Sequence, residues 1–207
     1  MPEKNYEEAK DQLKSHIDEL NDVVREVEFV GSEEREEEFG GMYIITAERH
    51  EHFYTIYLPE EDHYGTLRYP YDFIKQLSNN IDEESATDFL EKQGVDKPDQ
   101  SVSEAAAEEL LNTLSDESMD ELAYKLSSQI ESPHAGKIIR WENDAVVGFY
   151  VYNKIFPYDD NFSLEKLERA IQVAVSKGRS GADYLRYSFN YDRVTEESDQ
   201  DTIHGLE

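Results

Sequence analysis

Histidine is the first residue type in this chain whose spacing could do chemistry, because the sequence holds six histidines and no cysteine. Lacking cysteine, it has no thiolate nucleophile, no disulfide and no sulfur-based metal site. His50 and His52 stand two residues apart in the run Arg49-His50-Glu51-His52. On an extended strand that spacing turns both imidazoles to one face. Together with Glu48 they could give a zinc-type ion two nitrogens and an oxygen, and His63 is close enough in sequence to add a third imidazole. The same residues lie between two aromatic, β-branched runs, where a hairpin turn is expected and exposed polar residues need no metal. The expectation is that no metal is bound, with His50, His52 and His63 as the residues to watch.

Other catalytic signals are absent. Asp and Glu number 48, so close carboxylate pairs arise everywhere and no acid–base dyad stands out. Ser101, Ser103, Ser115 and Ser118 fall where helix caps are needed. His134 follows Pro133 and reads as part of a connector. Lys137 follows Gly136, but Glu131 occupies the place where a phosphate-binding loop needs its first glycine. Gly178 and Gly181 sit inside a helical pattern, the wrong setting for a dinucleotide fingerprint. No catalytic residue and no cofactor are expected, and the chain reads as non-enzymatic.

The elements that would position these residues can be read from periodicity. Residues 5–28 place Tyr6, Ala9, Leu13, Ile17, Leu20, Val24 and Val27 at steps of three or four, which predicts one long amphipathic helix. Asn5 and Glu8 form a capping box at its start. Residues 41–58 read as a hairpin, with a short third strand at Tyr64 to Tyr69 and a short helix from Pro70 to Leu77. Residues 82–100 read as polar, broken at Gly94 and Pro98. Helices are predicted from Ser103 to Leu114 and from Asp116 to Ile130. Residues 137–156 form a second hairpin around Asn143-Asp144. A last helix begins at Ser163 and is interrupted or bent at Gly178 and Gly181.

Strands that come in hairpins rather than βαβ units give the α+β class. The expected fold is an antiparallel sheet from two hairpins packed against N- and C-terminal helices, with a helical middle segment. A single domain is expected over 1–193, residues 82–132 being its helical insertion, and 194–207 an acidic tail.

Charge bounds the setting. The formal net charge is -28, and self-repulsion of that order works against a compact state in dilute buffer. At about 1 M salt the screening length falls to about 3 Å, so the acidity reads as adaptation to concentrated salt. The polar stretch Met1 to Leu13 gives no signal peptide, and no apolar run reaches the roughly 20 residues of a membrane helix. A cytoplasmic protein without a membrane partner is expected. Direct nucleic-acid binding is not.

The acidity is uneven. Residues 81–135 hold 15 acids and 3 bases, whereas 163–193 hold 4 acids and 6 bases. The second hairpin and last helix are therefore the place to look for an interaction surface: Trp141, Phe149, Tyr150 and Tyr152, with Lys166, Arg169 and Arg186. The expected partner is another protein or a second copy of the chain in a homodimer. Two alternatives stay open. One is a metal-binding or hydrolytic enzyme using the His50/His52 hairpin. The other is an acidic mimic of nucleic acid.

The stretches Gly41 to Ile45, Phe53 to Leu58, Val146 to Phe156, Phe162 to Val175 and Ala182 to Leu185 follow a familiar order. The layout resembles the YbjN-like and type III secretion chaperone-like superfamily, which runs from a helix through a hairpin and a helical middle to a second hairpin and a long final helix. The resemblance implies a non-enzymatic protein-binding module, often dimeric, that presents sheet or helix surfaces to extended segments. It brings no catalytic residues. The extra helical segment around 82–132 and the glycines at 178 and 181 depart from the family layout.

Overall fold

A computed structural model describes residues 4–30, 41–60, 62–95 and 100–189. The acidic run Glu33 to Glu38, Pro98 and the tail 194–207 lie outside the described residues. The chain is an α+β protein with a six-stranded antiparallel sheet in the order β1-β2-β3-β4-β6-β5. In sequence the strands are β1 Val23–Val30, β2 Met42–Arg49, β3 His52–Pro59, β4 Gly65–Asp72, β5 Gly136–Glu142 and β6 Ala145–Ile155. The helices are α1 Tyr6–Glu19, α2 Phe73–Ser78, α3 Glu83–Gln93, α4 Val102–Asn112, α5 Asp116–Gln129 and α6 Leu164–Ser188.

Four local expectations are corrected. The helix expected over 5–28 starts at its capping box but stops at Glu19. Leu20 caps it and Asn21 turns left-handed, at φ 56. Asparagine is among the few side chains that tolerate this conformation. Beyond it the β-branched run favours a strand, and Val27-Glu28-Phe29 alternates. Second, Pro70 starts no helix. It lies in β4 beyond the β3–β4 pairs, and Asp72 caps α2 by accepting from the Lys75 amide at 3.0 Å.

Third, the polar stretch after Ile81 contains α3. Asp82 accepts from the Ser85 amide at its start, and Gly94 closes it at φ 75. Fourth, Gly178 and Gly181 do not interrupt α6, which runs for 25 residues. Both hairpin turns behave as expected. His50-Glu51 and Asn143-Asp144 each have two residues at positive φ, the geometry of tight two-residue hairpins.

The chain divides into two compact units. Among the described residues the first comprises 4–30, 41–60, 62–70, 132–136 and 151–178. One sheet face carries its core: Tyr43, Ile45 and Ala47 of β2, Tyr54, Ile56 and Leu58 of β3, and Leu67 of β4. Ala9, Leu13 and Ile17 of α1 and Leu167, Ile171 and Ala174 of α6 are buried in the same unit. Gln12 Nε2 donates to the Phe162 carbonyl at 3.0 Å, and the Tyr158 hydroxyl donates to that of Pro59 at 2.7 Å.

The Tyr69 ring explains Gly178. A Cβ there would lie 2.1 Å from Tyr69 Cδ1, closer than atoms can approach. Gly178→Ala should therefore reverse the usual helix preference for alanine. The substitution normally gains about 1 kcal/mol, but overpacking against a buried ring costs about 1–3 kcal/mol or more. Chemical denaturation should show a net loss of stability, and a gain would remove this account of the glycine.

Among the described residues the second unit comprises 71–95, 100–131, 137–150 and 179–189. Ala86 and Leu90 of α3 pack with Ala105 and Ala106 of α4, flanked by Phe89 and Val102. Phe149 is fully buried, with its ring stacked on Tyr71 at a centroid distance of 5.2 Å. The Phe73 and Phe189 rings meet edge-on at 4.8 Å.

Candidate functional site

The residues proposed from sequence scatter. His50 sits exposed at the tip of the β2–β3 turn, where positive φ accounts for its position. His52 pairs with Arg49 across the hairpin, and its ring tilts against Tyr69 at 6.0 Å. His63 is exposed after β3. Glu48 holds Arg25 in an ion pair at 2.6 Å. Among the described residues no three His, Asp or Glu side chains are grouped as metal ligands.

The expected interaction surface is divided. Tyr152, Lys166 and Arg169 belong to the first unit, and Trp141, Phe149, Tyr150 and Arg186 to the second. Phe149 is corrected outright: it is core, because β6 is buried on both faces along its first half. Trp141 remains 44% exposed on β5, while Tyr150 and Tyr152 are half-buried. Lys166 donates to the Asn161 carbonyl at 2.7 Å, and Arg169 and Arg186 are exposed along α6.

The more coherent surface lies where a helix was expected. β1 ends the strand order, so among the described residues its outer edge has no neighbouring strand. It pairs with β2 through Val24↔Ala47, Val27↔Ile45 and Phe29↔Tyr43. All three β2 partners are buried, so Val24, Val27 and Phe29 continue the core face outward. Yet Val27 is 49% exposed and Phe29 56%. Leaving half of such a side chain in water forgoes about 1 kcal/mol of burial. On the other face Glu26 and Glu28 stand opposite Thr46 and Ile44.

This edge is held in place. A bulge between Val24 and Glu26 shifts the register, and Arg25 donates through Nε to Glu48 at 2.8 Å. At the far end the Phe29 ring lies over Gly41, where a Cβ would come within 2.2 Å of it. At the near end Asp22 accepts from Arg49 Nε at 2.7 Å and from the Tyr54 hydroxyl at 2.6 Å. Burial, reinforced by the Asp22 hydrogen bond, pushes the Tyr54 phenol well above its ordinary pKa.

No protein-family model matches the chain, and neither does any curated protein. Among solved structures it is similar to an uncharacterized protein from Methanothermobacter thermautotrophicus, at 12% identity and a TM-score of 0.54. The match covers 86% of this chain and 96% of that one. At that identity the likeness is one of fold. No helix among the described residues is long and apolar enough to cross a membrane.

Proposed function

We propose that this chain is a non-enzymatic, chaperone-like protein-binding module that works in concentrated salt and takes partners at the outer edge of β1. The carrying observation is the exposed apolar row Val24, Val27 and Phe29 on a strand whose outer edge is open among the described residues. An open edge offers backbone donors and acceptors to an added strand, and the row offers it apolar contact. The YbjN-like resemblance, with the protein-binding role it implies, points the same way. The net charge of -28 supports the high-salt setting.

Aggregation of a reduced, unfolding client such as insulin, followed by light scattering in about 2 M KCl, tests the reading. The wild-type chain should suppress scattering. Val27→Asp combined with Phe29→Asp should weaken client binding by tenfold or more, since two half-buried contacts at about 1 kcal/mol each are lost. Equal suppression by that variant would end the assignment to β1.

A further inference from the structure

The two faces of β1 differ in chemistry, and that difference selects a partner. We infer that the segment taken at this edge is an extended polypeptide alternating apolar and basic residues, a deepening that rests on the reading of β1 as a docking edge. A strand added beside β1 must place successive side chains on opposite faces. On one face it meets Val24, Val27 and Phe29, which are exposed apolar surface continuous with a buried row. On the other it meets Glu26 and Glu28, two exposed carboxylates two residues apart. The nearest cation on β1, Arg25, is engaged by Glu48. Lysine or arginine at alternate positions of the incoming strand would face Glu26 and Glu28, while the intervening residues cover the apolar row.

The same geometry argues against a second copy of β1 as the occupant. Antiparallel pairing puts directly opposite residues on the same face. Centred on Val27, such a pair sets Glu26 against Glu28 of the other copy. Centred on Glu28, it sets Glu28 against itself. Like charges directly opposite are destabilising, so the acidic face deters self-pairing and accepts a basic strand.

The test uses the full chain and three dye-labelled peptides of about eight residues. They alternate valine with lysine, with threonine or with glutamate, and binding is read by fluorescence anisotropy. Read in about 2 M KCl, where only pairs in direct contact escape screening, the Val/Lys peptide should bind severalfold more tightly than the Val/Glu peptide, from two cross-strand charge pairs changing sign. Glu26→Lys combined with Glu28→Lys should invert that order. Both positions are exposed, and circular dichroism confirms that the variant is folded. If all three peptides bind alike and Val27→Asp weakens each, the basic-partner inference is wrong while the docking edge stands. If no peptide binds, the inference falls, and client suppression decides separately whether the edge docks anything.

Discussion

Truncating Phe149 to alanine should lower the unfolding free energy by about 3–5 kcal/mol, a large share of a typical domain's 5–15 kcal/mol. The ring is completely buried and stacked on Tyr71. Its edge reaches so close to Gly181 that a Cβ there would come within 2.6 Å of Phe149 Cζ. The helix thus contributes no side chain from that position to refill the space. Gly148, next to Phe149, approaches the Tyr71 carbonyl closely enough that a Cβ would lie 2.4 Å from that oxygen. Backbone contact on that side limits collapse, and cost rises with the cavity that remains. Trp141→Ala is the control. With 44% of its surface exposed, Trp141 should cost clearly less despite its greater size. Guanidinium titration of both variants in high KCl checks the order, and a larger loss at Trp141 would contradict the burial argument.

Phe149 also shows what the sequence could and could not say. Its strand was legible: the β-branched and aromatic run, with Asn143-Asp144 before it, predicts a hairpin arm, and one forms. Which faces of the arm are covered was not legible, because alternation separates the two faces without saying what packs on each. The glycines of α6 failed as stop signals for a related reason. Local propensity counts their entropic cost, whereas Tyr69 at Gly178 and Phe149 at Gly181 need the space a Cβ would fill. The β1 edge was hidden by a coincidence of periods. Val24 and Val27 are three apart, so they extend the stripe of α1, and only Val27-Glu28-Phe29 and the αL-tolerant Asn21 argue for a strand. Asp22 gave no signal, since one carboxylate among 48 Asp and Glu is not distinctive.

That carboxylate should nonetheless be among the most sensitive positions in the first unit. Asp22 retains 4% of its side-chain exposure and Arg49 11%, and Asp22 also receives the hydroxyl of Tyr54, which is completely buried. Asp22→Ala leaves a guanidinium and a phenol desolvated together without their acceptor. Removing one partner of a buried pair costs about 3–5 kcal/mol. Asp22→Asn keeps an acceptor for one donor and should lose less. Tyr54→Phe leaves the ion pair intact and should lose about 1 kcal/mol. The order Asp22→Ala, Asp22→Asn, Tyr54→Phe is the expected result of chemical denaturation, and a larger loss at Tyr54 would overturn it.

The pH dependence separates the phenol from the pair. The Tyr54 pKa is higher in the folded chain than in the unfolded one, so on raising pH the unfolded state releases its proton first. The phenol's contribution is complete below the ordinary tyrosine value of about 10 and declines as pH climbs towards the folded value. Tyr54→Phe should flatten that alkaline decline and leave the acid side unchanged. Because Asp22 immediately precedes β1, the same clasp sets where the edge begins. Hydrogen exchange of the amides of residues 23–30 should quicken in Asp22→Ala before the β2–β3 hairpin is affected. If those amides exchange no faster than in the wild type, Asp22 stabilises the unit without positioning its edge.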